Sequence, residues 1–136
     1  MVITNTKRAA ERRLASITPN DIPTAYESVN FDPPTTIYQR TQFVLRRPDD
    51  PVIGTGYYRE NIQFQVFIVD KSNEGTARAI ERAEVIRQQF AKGTVMIENG
   101  TRIHVLSTPQ IAGSTVVQGR LVVPVLIDLV AEVYSQ

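Results

Sequence analysis

His104 is the residue with the clearest capacity for chemistry, because it is the only histidine in a chain that has no cysteine. A metal site there would need carboxylates brought to it by folding alone. A serine triad would need a serine beside His104, but the sequence has no Gly-x-Ser-x-Gly elbow to present one. We therefore expect His104 to be an ordinary strand residue, and full function after its substitution would remove the best catalytic candidate.

Two further short patterns could do chemistry but are better explained by a loop. Gly54-Thr55-Gly56 lacks the third glycine of a dinucleotide fingerprint, and a strand pattern follows it where a nucleotide-binding fold needs a helix. Asp49 and Asp50 are adjacent carboxylates of a kind that is usually just solvated. The sequence thus predicts no catalytic residues, no cofactor and no metal site, and we expect a protein that is not an enzyme.

Length and charge limit the possible partners. The 136 residues can form one domain with a real core, and we expect a single domain over residues 1–136. Fifteen basic against fourteen acidic side chains give a net charge of +1, so no global field marks a binder of nucleic acid or membrane. No apolar run approaches the roughly 20 residues that span a bilayer, and the first residues lack a signal-peptide core, so we expect synthesis in the cytoplasm.

Two helices are predicted by apolar residues at helical spacing. The first is a short helix over residues 4–17 that ends before Pro19. The second, within residues 74–92, is the clearest element in the sequence, and Ser72 or Asn73 can cap it.

The remaining patterns predict strands. Residues 57–69 alternate between apolar and polar side chains, and Asn99-Gly100 is the dipeptide that a two-residue type I′ hairpin prefers. The last apolar run, residues 116–133, contains Pro124, which cannot donate to a strand ladder, so we expect this strand to be an edge or to be bulged there. Residues 36–47 are also predicted to form a strand. Residues 46–56 should form a protruding loop between that strand and the strand at residues 57–69.

These elements predict an α+β fold: an antiparallel or mixed β-sheet with one long helix and a short N-terminal helix packed on it. The short helix carries Lys7, Arg8, Arg12 and Arg13 against Glu11, so its local net charge is 4 − 1 = +3. An ordinary solvated helix face is the favoured interpretation of these basic residues, and a patch that faces DNA or a partner is the alternative.

Several stretches, in this order, resemble the tail terminator (tail completion) proteins of long-tailed bacteriophages. After the N-terminal helix they are PTAYESVNFDPP, GTGYYRENIQFQVFI, the helix ARAIERAEVIRQQF closed by KGT, and the strand GRLVVPVLI. The resemblance covers nearly all of the chain after about residue 8. None of these stretches is a catalytic signature, and their ordered set is what carries the resemblance.

The resemblance implies a structural virion protein of the tail or neck, made in the cytoplasm of a bacterial host. Proteins of this family cap the head-proximal end of the tail tube as a hexameric ring, which stops tube polymerisation and offers a surface to the head connector. The implied partners are other copies of the chain, the tail-tube protein and a connector or stopper protein. DNA would only pass through the ring without specific binding, and no membrane is involved.

A ring of this kind needs two different complementary surfaces on each subunit. Because tyrosine and arginine are favoured as interface anchors, we expect protein contacts at the loop and at the strand that follows it. The expected contact residues are Arg46, Arg47, Asp49, Asp50, Tyr57 and Tyr58, and packing of the two tyrosines within the monomer is the alternative. In a ring of the kind that the resemblance implies, the basic residues Lys7, Arg8, Arg12 and Arg13 would face the lumen or a partner.

The sequence also fits three other functions. A head-completion or connector protein, or a tail-tube subunit, would share the small size and the ring assembly. A small nucleic-acid-binding module would account for the basic helix, but the sequence lacks the interleaved basic and aromatic strand residues that single-strand binders use. Closed rings, growing tubes or salt-sensitive DNA binding would distinguish these three.

Overall fold

The structure is a computed structural model that describes residues 1–17, 22–27, 29–54, 56–72 and 75–134. Its two helices are α1 (Val2–Ala15) and α2 (Ala77–Gln89). Two strands of 15 residues dominate the sheet, β3 (Tyr57–Lys71) and β8 (Arg120–Tyr134). The other strands are β1 (Thr24–Ala25), β2 (Tyr38–Leu45), β4 (Val95–Glu98), β5 (Thr101–Val105), β6 (Gln110–Ile111) and β7 (Thr115–Val117).

All eight strands belong to one mixed sheet in the order β1-β2-β3-β8-β5-β4, with β6 and β7 also paired to β8. β3 and β8 are antiparallel along their whole length, from Tyr57 opposite Tyr134 to Lys71 opposite Arg120. Of the strand pairs that the structure describes, β1 with β2 is the parallel one. The long central pair therefore fixes the register of the whole sheet.

One face of the sheet and the two helices enclose the core. Residues of even number from Ile62 to Ile68 in β3, such as Phe64, and of odd number from Val123 to Ala131 in β8, such as Val125, are fully buried because strand side chains alternate between faces. Leu14 of α1 and Ile86 of α2 pack into the same apolar cluster. Among the described residues no helix packs on the opposite face of the sheet, and the side chains of that face are mostly half-buried or exposed.

The expected α+β architecture is wrong. The chain is 44% strand and 21% helix, and its curled eight-stranded sheet makes the fold β-rich. The strands contain about twice as many residues as the helices. The two helices are also nearly equal, with 14 residues in α1 and 13 in α2, so the contrast between a long and a short helix does not hold. The prediction missed short strands such as β6 and β7, because two or three residues are too few to show a period.

Pro124 also lies elsewhere than expected. β8 is an interior strand, with β3 on one side and β5, β6 and β7 on the other. The Pro124 carbonyl accepts a hydrogen bond from the Ala112 amide (2.9 Å), but the reciprocal bond cannot form because proline has no N–H. The backbone position without an N–H therefore lies opposite the gap between the end of β6 and the start of β7.

The helix and hairpin predictions had mixed outcomes. α2 begins one residue after Thr76 and not at Ser72, while the alternative cap Asn73 lies outside the described residues, as does Pro19. The hairpin is confirmed: Glu98 pairs with Thr101, and Asn99 and Gly100 have φ values of 49° and 80°. Those positive values are what a type I′ turn requires.

Candidate interaction surface

The predicted loop between β2 and β3 is exposed over residues 46–54, and Gly56, directly before β3, is half-buried. Arg46, Arg47, Asp49 and Asp50 all lie on it with exposed side chains. The structure therefore brings these four predicted contact residues together on one protruding segment.

The base of this loop is fastened to β3. Asp49 and Arg59 exchange two backbone hydrogen bonds of 2.9 Å each, and the Arg46 amide donates to the Asn61 carbonyl at 2.9 Å. The Asn61 side-chain amide donates to the Arg47 carbonyl and to Asp49 Oδ2, both at 3.0 Å. These bonds occupy the edge of β3 beyond the end of β2 and hold the loop in one orientation.

Tyr57 and Tyr58 point to opposite faces of β3, so the structure does not bring them to one site. The Tyr57 ring packs edge-on against Tyr134 with 4.9 Å between centroids, on the helix-free face. Tyr58 instead borders a shallow groove beside the start of α1, lined also by Met1, Ile3 and Glu60. Only Tyr57 shares a face with a polar cluster near the loop.

Glu132 is the centre of that polar cluster. Its carboxylate accepts from the Tyr57 hydroxyl at 3.3 Å, and the same hydroxyl oxygen accepts from Arg59 Nε at 3.0 Å. His104 Nε2 lies 3.6 Å from Glu132 Oε2, just beyond hydrogen-bond distance. Partial loss of solvent acts to raise the pKa of Glu132, but the contacts with His104 and Tyr57 outweigh it and leave the pKa below its ordinary value.

The surroundings of His104 do not form a metal site in the described part of the chain. Folding brings one carboxylate, that of Glu132, to His104, and no group of three His, Cys, Asp or Glu residues that could hold a metal ion exists among the described residues. The cluster instead orders the aromatic end of β3 and β8.

A second polar group lies beside the loop on the helix-free face. Gln63 Nε2 donates to Asp128 Oδ1 at 3.1 Å, and Gln65 Nε2 donates to Gln63 Oε1 at 2.7 Å. Together with Arg46 and Leu106, Gln63 and Asp128 line an open cleft of about 610 Å³. This cleft is broad and shallow, as at a contact surface.

The basic residues of α1 are largely engaged within the chain. Lys7 Nζ lies 2.8 Å from Glu27, and Arg12 lies 2.8 Å from Glu98. Arg13 Nε donates to the Gln89 carbonyl, and its guanidinium lies 5.9 Å from the centre of a phenylalanine ring. Within the described residues only Arg8 of the four is exposed without an ion pair or hydrogen bond, so the +3 charge is mostly balanced locally.

The contact with Lys7 lowers the pKa of Glu27. The hydrogen bond from Lys7, followed by one from the Phe43 backbone amide, holds the pKa of Glu27 below its ordinary value of 4.5. Both bonds join the segment after β1 to α1 and β2.

Sequence reasoning missed an apolar patch on β4 and β5. Val95, Ile97 and Leu106 are 40%, 67% and 58% exposed, and strand alternation places all three on the helix-free face. The signal in the sequence was that TVMIE is apolar at both parities, so only one set of its side chains can enter the core.

These features define a class: a small β-rich protein with an exposed loop between β2 and β3 and an open sheet face. No described helix is long and apolar enough to cross a membrane.

The family model for the phage tail terminator protein matches residues 5–128. The chain therefore belongs to the phage tail terminator family, and it is a structural protein of the bacteriophage virion.

Solved structures share the fold. One without a descriptive name is 23% identical, with a TM-score of 0.77 over 100% of this chain and 99% of its own. A chain from the virion of a native gene transfer agent particle is 14% identical, with a TM-score of 0.70 over 98% of both chains. At these identities the likeness shows the fold alone. No curated protein matches the sequence.

Proposed function

We propose that the protein, acting as one domain, forms a hexameric ring on the head-proximal end of the phage tail tube. The ring ends tube polymerisation and presents its other face to the head connector or stopper protein. The observation that carries this proposal is the match of the tail terminator family model to residues 5–128.

Two separate regions of the sheet support a ring. A ring with rotational symmetry uses heterologous contacts, so each subunit needs two different surfaces. One candidate is β4, whose outer edge pairs with no described strand. The other is the β3 edge with its fastened loop, which carries the predicted contact residues Arg46, Arg47, Asp49 and Asp50.

The charge distribution supports passage of DNA without strong binding. The net charge is +1, and the basic side chains Lys7, Arg12 and Arg13 already have partners within the chain. A binding affinity that depends on phosphate contacts needs free cationic side chains. We therefore expect neither sequence-specific nor steeply salt-dependent DNA binding, wherever α1 lies in the ring.

The test is the mass of the purified protein by light scattering or native mass spectrometry, with negative-stain images of any large species. Six-subunit rings that bind one end of isolated tail tubes and block further addition of tube protein are the expected result. Long tubes of the protein itself would identify a tube subunit instead. A monomer that tail tubes do not capture at an end would overturn the proposal.

A further inference from the structure

The loop between β2 and β3 ends in an apolar tip, which we define as Val52 and Ile53. Val52 is 53% exposed and Ile53 is fully exposed. Burial of apolar surface is favourable by about 25 cal/mol per Å², so packing of these two adjacent side chains against another surface would stabilise a contact.

The loop is also prepared for binding before it meets a partner. The Asp49 and Arg59 backbone pair and the two bonds from the Asn61 side chain fix its base. Ordering a mobile loop at an interface costs free energy that subtracts from affinity. A loop with a fixed base avoids part of that cost.

The same chain carries a surface that suits such a tip. We call Val95, Ile97 and Leu106 the β4–β5 patch; it lies on the helix-free face, next to the unpaired edge of β4. Exposed apolar side chains on an edge strand are a hazard that proteins normally cover or mark with charge. Within the described residues, these three side chains keep between 40% and 67% of their surface exposed.

One row of paired residues joins the loop to the patch. The row begins in the loop, crosses β3, β8 and β5, and ends on β4. Its members, in that order, are Asp49, Arg59, Glu132, Arg102 and Ile97. Neighbouring strands are about 4.8 Å apart, so the two ends of the row are roughly 19 Å apart along the sheet. Along this row, Asp49 at the base of the loop and Ile97 of the patch therefore lie on opposite sides of the same end of the sheet.

From this placement we infer that the apolar tip of one copy packs on the β4–β5 patch of the next copy in the ring. The inference rests on the proposed function and names the surfaces through which its subunits meet. Such a contact joins one edge to the opposite edge, and repetition by rotation closes a ring. Charge favours it as well, because exposed Asp50 flanks the tip and exposed Arg102 flanks the patch.

Disulfide crosslinking tests the contact directly, since the natural chain has no cysteine. The double variant Ile53→Cys/Ile97→Cys should give, on mild oxidation of rings or of capped tail tubes, a ladder of covalent oligomers that ends in a closed species. A bond within one chain would give only an oxidised monomer on a denaturing gel, so a ladder reports contacts between copies. Ile53→Cys with Val116→Cys, an exposed position on β7, is the matched control and should give no ladder.

Complementation gives an independent result. Ile53→Asp and Ile97→Asp should each keep the wild-type melting temperature but remain monomeric. Mixed in equal amounts, they should form only heterodimers, because the mixture contains one intact tip and one intact patch per pair. Rings formed by either variant alone would overturn the inference, as would dimers of Ile53→Cys alone at the yield of the double variant.

These results separate the two proposals. Wild-type rings that cap tubes, together with absent crosslinks and intact Ile53→Asp rings, would overturn the tip-and-patch contact and leave the terminator function standing. A wild-type protein that neither forms rings nor caps tubes would overturn both.

Discussion

The side-chain amide of Asn61 donates to the Asp49 carboxylate at 3.0 Å, and so ties the loop to the strand that follows it. The same nitrogen also donates to the Arg47 carbonyl, so one side chain fixes two points of the loop base. Because Asn61 lies on β3, the position of the loop depends on one of the two longest strands in the sheet.

Loss of this amide should loosen the loop with little effect on the fold. We expect Asn61→Ala to speed amide hydrogen exchange in residues 46–54 and to weaken ring assembly several-fold. The change in unfolding free energy should be about 1 kcal/mol, because the bonds are exposed. Gln42→Ala, at an exposed position of β2, is the control. Unchanged exchange in the loop of the Asn61 variant would contradict this role.

A second tie joins β3 to α2. The buried carboxylate of Asp70 accepts from Arg78 Nε at 3.0 Å and from a second guanidinium nitrogen, while the Lys71 backbone amide donates to it at 2.8 Å. Burial acts to raise the pKa of Asp70, but the bonds from Arg78 and Lys71 outweigh it and set the pKa below its ordinary value of 3.8. The carboxylate therefore stabilises the fold in its charged form.

We expect Asp70→Asn to lower the unfolding free energy at pH 7 by about 1–3 kcal/mol, the usual cost of a broken buried polar contact. Since the folded pKa is depressed, the stabilisation is complete above the unfolded value and is lost as the pH falls through the folded one. Urea unfolding of both proteins between pH 7 and pH 2 should show the difference shrinking below about pH 3.8. A difference that is constant over this range would contradict the charge-based account.

Much of this fold could be predicted because its signals are local. The alternation of residues 57–69, the stripe of α2 and the positive φ values at Asn99 and Gly100 each depend on neighbouring residues. The wrong results concern relations between distant segments. The interior place of the Pro124 strand depends on β5, β6 and β7, which no pattern within that strand encodes.

In the candidate surface, too, the sequence indicated local features and missed contacts between distant residues. The sequence indicated the loop residues Arg46 and Asp50, and the structure exposes both. It could not indicate that Lys7 would pair with Glu27 or Arg12 with Glu98, since these partners are 20 and 86 residues away. Nor could it separate exposed Ile97 from buried Ile103, because both lie in equally apolar runs of one hairpin.

Truncation of a core residue and of a patch residue should have opposite profiles. Phe64 is fully buried and its ring stacks on Phe43 at 4.7 Å, so Phe64→Ala should cost about 3–5 kcal/mol of unfolding free energy. Leu106 is 58% exposed, so Leu106→Ala should change stability by less than about 0.5 kcal/mol and still reduce ring assembly. Denaturant unfolding and light scattering separate the two quantities. A large loss of stability in the Leu106 variant would show that the residue belongs to the core.

The turn between β4 and β5 holds together the hairpin that carries Ile97 of the β4–β5 patch. Gly100 has a φ of 80°, a conformation in which a side chain is strained, although no atom lies within 4 Å of a Cβ added there. Gly100→Ala should therefore cost about 1 kcal/mol through the backbone alone. Gly113, whose φ lies outside the strained range and which has equal space, is the matched control, and Gly113→Ala should be neutral or slightly stabilising. Because the strain acts on the hairpin that carries Ile97, hydrogen exchange in β4 should rise in the Gly100 variant and not in the control. Equal effects of the two substitutions would show that the turn conformation does not hold the patch in place.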